Sequence, residues 1–151
     1  MLCTYVITRE DSVNFYIASS FKNIEQVREL SSVLKLKGFT QSYDWTQNEK
    51  ANSFEKLATI GEKEKEAVMN SDFLVILLPA GKGSHIELGI ALGLGKRIYI
   101  YSPTNEINEY DKTSTFYHIK DINKFVGNFD SFKQYLMELE NQITTNLKKT
   151  D

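Results

Sequence analysis

Ser71-Asp72-Phe73-Leu74-Val75-Ile76-Leu77-Leu78-Pro79-Ala80-Gly81-Lys82-Gly83-Ser84-His85-Ile86-Glu87-Leu88-Gly89-Ile90-Ala91-Leu92-Gly93-Leu94-Gly95 is the stretch on which the fold turns. Phe73 to Leu78 is apolar without alternation, the pattern of a strand buried on both faces at the centre of a parallel sheet. Gly81 and Gly83 then permit a tight turn with close backbone approach. Ile86 to Leu94 follows as a helix closed by Gly95. The free amides of a helix start favour an anion, so strand, turn and helix start together read as the floor of a small-molecule site.

The same alternation extends in both directions. Upstream, Phe15 to Ala18 reads as a strand, and Ile24, Val27, Leu30, Leu34 and Leu36 have helical spacing, with Asn23 as cap and Gly38 as terminator. Phe39 to Tyr43 is a second strand, and a helix from about Ser53 to Asn70 buries Phe54, Leu57, Ile60, Ala67 and Val68. Downstream, Arg97 to Tyr101 and, more weakly, Phe116 to Ile119 read as strands, before an amphipathic helix over Ser131 to Leu147. Strands alternating with helices predict a flavodoxin-like or Rossmann-like three-layer α/β/α arrangement with a five-stranded parallel sheet. Tyr5 to Thr8 is a possible extra N-terminal edge strand, and residues 1–151 read as a single domain.

Composition narrows the function classes. The 151 residues carry 20 acidic and 18 basic side chains, a formal charge of -2, with the bases scattered, which argues against a nucleic-acid polymer as partner. Charged residues at 25% and hydrophobic ones at 41% are those of a soluble globular protein, and no apolar run approaches the length that crosses a bilayer. Cys3 is the single cysteine, so no intrachain disulfide forms and no Cys/His cluster suggests a metal. The N-terminus lacks the pattern of a secretory signal. A cytoplasmic protein without cofactor is the expectation.

In open parallel sheets ligands bind beyond the carboxyl ends of the strands, where strand order reverses. In a 2-1-3-4-5 order that crevice lies between Ser19-Ser20-Phe21-Lys22-Asn23 and Pro79-Ala80-Gly81-Lys82-Gly83-Ser84. The second loop is neither a P-loop nor GxGxxG. Glu87 has two readings: the reactive carboxylate of the crevice, or the far member of a capping box begun by Ser84. Gly89 and Gly93 each weaken a helix by ~1 kcal/mol and make sense if that helix presses closely on the sheet, which would hold Glu87 rigidly. Ser20 and Lys22 suit either a helix start or a sugar or phosphate. Asp44-Trp45-Thr46 is either a capped turn or a site for base stacking, Tyr16 ordinarily a core residue, and His85 a solvent-facing first-turn residue.

Asn14 to Phe21, Ser71-Asp72-Phe73-Leu74-Val75 and Gly83-Ser84-His85-Ile86-Glu87-Leu88-Gly89, with Ala91 and Gly95-Lys96, occur in an order that resembles the nucleoside 2-deoxyribosyltransferase-like family, including the 2'-deoxynucleoside 5'-phosphate N-hydrolases. The resemblance implies a glutamate nucleophile at Glu87 that attacks the anomeric carbon, oriented by Tyr16. It implies that Ala18, Ser19, Ser20, Phe21 and Lys22, with Gly81, Gly83 and Ser84, surround the sugar and its 5' substituent. Lys22 falls where the hydrolases carry a phosphate-binding Arg. The family's aspartate near the base corresponds to Glu64, with Asp44 the other candidate, and Trp45 lies near the base. Thr115-Phe116-Tyr117 resembles a segment contributed by a neighbouring subunit, so a homodimer or higher homo-oligomer is expected.

The leading expectation is an enzyme, transferase or hydrolase, that cleaves the N-glycosidic bond of a deoxyribonucleoside or its 5'-monophosphate. Pro79 to Glu87 also looks like the PGGxGTxxE signature of the lysine-decarboxylase-like phosphoribohydrolases, from which Ala80 and Ser84 depart. A non-catalytic nucleotide-binding module on the same fold is the third reading.

Overall fold

The computed structural model describes residues 12–149. The expected strand at Tyr5 to Thr8 lies outside them. Five parallel strands form one sheet in the order β2-β1-β3-β4-β5, with β1 at Asn14–Ser19, β2 at Thr40–Gln41, β3 at Phe73–Leu77, β4 at Arg97–Ser102 and β5 at Ile122–Val126. The helices are α1 (Ile24–Leu36), α2 (Phe54–Met69), α3 (Lys82–Gly93) and α4 (Phe129–Lys149). Lys133 of α4 reaches Glu29 of α1 across one face, and α2 packs against α3 on the other, which gives the three layers. The doubly wound, all-parallel arrangement is the one expected from the alternation of elements.

β3 lies between β1 and β4, and each of its side chains is fully buried. Burying one Val, Leu, Ile or Phe side chain stabilises by about 1.5–3 kcal/mol, so this unalternating strand anchors the core. Phe73 holds Phe15, Phe39 and Tyr99 within ring contact. At the amino end of the sheet a buried cluster takes over: Glu140 of α4, 1% exposed, accepts from Arg97 at 2.7 and 3.0 Å and from the Tyr99 hydroxyl.

Several sequence expectations are corrected. The fifth strand is not Phe116 to Ile119; Thr115–His118 is a 3-10 turn capped by Ser114, and β5 begins after Asp121, whose φ of 79° turns the chain. β5 is an edge strand with no fully buried residue, and Asn123 and Lys124 interrupt its apolar signature. The second strand shrinks to two residues for the same edge reason. α2 does not bury Phe54 and Leu57, which are 90% and 54% exposed; Ala67 and Val68 carry its packing.

α3 starts four residues before the expected Ile86, with Gly81 as its cap. Gly89 and Gly93 point away from the sheet, and a Cβ added to either meets nothing within 4 Å. Close approach to the sheet therefore does not explain them.

Candidate active site

At the carboxyl ends of β1 and β3 a cavity of about 940 Å³ opens between the two loops that the strand order separates. Among its buried polar groups is Glu87, 7% exposed on the second turn of α3. The helix begins at Gly81, so Ser84 is inside the helix and no Ser84–Glu87 capping box exists. The glutamate instead accepts a hydrogen bond through Oε2 from the hydroxyl of Tyr16, itself 1% exposed on β1. A strand residue and a helix residue 71 positions apart thus meet because β1 and α3 are packed together.

Glu64, on α2, lines the same cavity and raises the Glu87 carboxyl through its charge. Burial, reinforced by the neighbouring Glu64 charge and opposed by the Tyr16 hydroxyl, pushes Glu87 up to about 8. Glu64 is raised as well, chiefly by burial. Burial and the adjacent Glu87 charge hold the Tyr16 phenol far above its ordinary value, so it remains a hydrogen-bond donor. Two neighbouring buried carboxyl groups do not both ionise readily, so ionising one holds the proton on the other.

The rest of the cavity wall divides by chemistry. Trp45 forms one apolar side: it is 6% exposed and donates through Nε1 to the Ile17 carbonyl at 2.7 Å. Phe21, 66% exposed, stands edge-on to it with ring centroids 5.2 Å apart. Leu57 and Ile60 of α2 continue this surface. Lys22, Lys50 and Lys82 lie around the cavity from three separate segments, with Glu49 among them. None of these lysines is ion-paired within 4.0 Å among the described residues. Gly81 to Ser84 at the start of α3 line the cavity, and no side chain caps the helix.

Of the residues singled out from sequence, Tyr16, Ser19, Ser20, Phe21, Lys22, Trp45, Glu64, Gly81, Gly83, Ser84 and Glu87 line this one cavity. Ala18 is fully buried behind it. Asp44 is not on its wall: the carboxylate accepts from the Thr46 amide at 3.0 Å and the Thr46 hydroxyl at 2.6 Å, capping the turn at Trp45–Gln47. Asp44 caps this turn, and of the two candidates for the aspartate near the base only Glu64 lines the cavity. Ser20 caps the Phe21–Asn23 turn by accepting from the Lys22 amide.

Tyr117 is buried in its own chain and contacts His85 Nε2, while Thr115 and Phe116 are exposed. His85 is correspondingly half-buried rather than solvent-facing, with Nδ1 on the Gly81 carbonyl at 2.7 Å. Asn48, Glu49, Lys50, Ala51, Leu57, Ile60 and Lys82 also line the cavity and were not singled out from sequence. The loop and exposed helix turn that carry most of them have no motif; Lys82, inside the Pro79 to Ser84 loop, was the one within reach.

Comparison with solved structures gives the structure of the CMP N-glycosidase BcmB of Clostridium botulinum, which superposes with a TM-score of 0.54 over 82% of this chain and 97% of that one, at 18% sequence identity. The two share a fold. No protein-family model matches the sequence, and no curated protein matches it. The fold expected from the resemblance to nucleoside 2-deoxyribosyltransferase-like enzymes is the fold of this N-glycosidase.

Proposed function

We propose that the chain is an N-glycosidase or glycosyltransferase of the nucleoside 2-deoxyribosyltransferase-like kind, acting on a nucleoside or its 5'-monophosphate. The observation that carries the reading is a buried Glu87 held by the Tyr16 hydroxyl, with Glu64 on the wall of the same cavity and aromatic side chains beside them. The similarity to an N-glycosidase named for CMP supports it.

In the proposed reaction the pair's proton resides on Glu64 when substrate is bound, leaving Glu87 as the carboxylate. Its oxygen bonds to the anomeric carbon as the carbon–nitrogen bond breaks, and the departing base takes the Glu64 proton. Water, or a second base, then attacks the anomeric carbon, gives its proton to Glu64 and frees Glu87. The Tyr16 hydroxyl holds the nucleophilic carboxylate in place and favours its charged form. Trp45 and Phe21 provide flat surface for the base, and the three lysines favour a 5'-phosphate over an uncharged nucleoside.

Residues 1–151 are read as a single catalytic domain, with a second copy beside it. Phe54 and Leu57 of α2 and Ile86 and Leu94 of α3, all more than half exposed, support a homodimer through these helices.

The deciding experiment is incubation with ribo- and 2'-deoxyribonucleosides and their 5'-monophosphates, followed by chromatography for free base. Release of base from at least one nucleotide, absent in Glu87→Ala, is expected. Equal release by a folded Glu87→Ala variant, or none from any compound with the native chain, sinks the proposal. Adding a second free base separates transfer from hydrolysis.

A further inference from the structure

Asn23 ends the 3-10 turn that Ser20 caps and that runs directly into α1, so its side chain is not engaged as a helix cap. Its amide nitrogen donates instead to the Pro79 carbonyl at 2.9 Å and to Ser19 Oγ at 3.0 Å. Ser19 in turn donates to the Leu77 carbonyl at 2.8 Å.

These bonds stand at a particular place. The β1–β3 pairing ends at Ser19 opposite Leu77, after which one chain leaves toward α1 and the other toward α3. The cavity opens where they part. Asn23 carries the connection one step beyond the last rung of the sheet, tying the loop that follows Tyr16 to the loop that begins the helix of Glu87.

Resting on the proposed N-glycosidase function, we infer that Asn23 is a positioning residue: its amide clamps the two loops so that the Tyr16 hydroxyl and the α3 amides keep their places about the Glu87 carboxyl. Both amide hydrogens are needed for this. A misplacement of about 1 Å at such a site lowers turnover on the order of a hundredfold.

Asn23→Asp separates this from capping, because aspartate has the same shape and caps helices as well as asparagine but has no N–H to donate. The expected result is a folded protein whose kcat falls about 10- to 100-fold with KM within about threefold of the native value. Amide hydrogen exchange in peptides covering residues 80–84 and 19–22 rises while the β3 and β4 peptides stay unchanged. Asn23→Ala behaves the same way in both readouts.

Native kcat in Asn23→Asp overturns the inference, whether or not the loops exchange faster, and so does native loop exchange in that variant. Base release by the native chain is measured in parallel. Its absence counts against the proposed function alone, since the exchange measurement still decides whether the clamp exists.

Discussion

Glu87 carries a cost that the proposed chemistry explains. Its raised pKa means that the folded chain holds a proton the unfolded chain releases, so stability is fullest below about pH 4.5 and declines as pH rises through about 8. Glu87→Gln keeps an acceptor for Tyr16 and cannot ionise; its melting temperature is expected to exceed that of the native chain at pH 8–9 and to match it near pH 4. A native-like decline with pH in this variant, followed by thermal scans, would show that the carboxyl group is not the source. The same variant is expected to lose base release by about a thousandfold or more. Glu64 raises Glu87 through its charge, so Glu64→Gln should move the acidic limb of kcat/KM to lower pH while lowering the maximum. An acidic limb that stays put would remove Glu64 from the pair.

α3 is an unusual helix because its sheet-facing side is conventional and its outer side is not. Leu88 and Ala91 are buried against the sheet, whereas Ile86 and Leu94 are more than half exposed and Gly89 and Gly93 leave open space between them. Phe54 and Leu57 make α2 similar at its start. The sequence reading assigned Phe54 and Leu57 to a buried face because helical periodicity reports that a face is apolar and cannot report what covers it. If a second copy covers it, Ile86→Asp should convert a dimer to a monomer at micromolar concentration by light scattering. A native chain that is monomeric across that range removes the homodimer from the proposal. The uncapped N-terminus of α3 has a different explanation from its outer face: with Gly81 in the cap position, the first amides remain available to the cavity.

The molecule separates its stabilising charge cluster from its cavity. Arg97, Tyr99 and Glu140 lie at the amino end of the sheet, while Tyr16, Glu64 and Glu87 gather toward the carboxyl ends of the strands. Arg97→Leu leaves a carboxylate that is 1% exposed without its cation, a loss of about 3–5 kcal/mol, read by denaturant unfolding. The folded fraction is expected to keep native KM and kcat; a large change in either would mean that the two ends are coupled. The layer architecture and the crevice could be read in advance because Phe73 to Leu78 is apolar on every residue and the order of elements allows few topologies. Glu87 could be named from the chain, but a capping box and a reactive carboxylate look alike there. Packing excluded the capping box, by beginning α3 at Lys82 and bringing the Tyr16 hydroxyl onto the carboxyl group. Asn23 shows the same division: local propensity makes it a helix cap, and only the folded chain brings the Pro79 carbonyl close enough to claim its amide. Periodicity and propensity act over a few residues, whereas these contacts join residues more than 50 positions apart, and so they exist only once the sheet has formed.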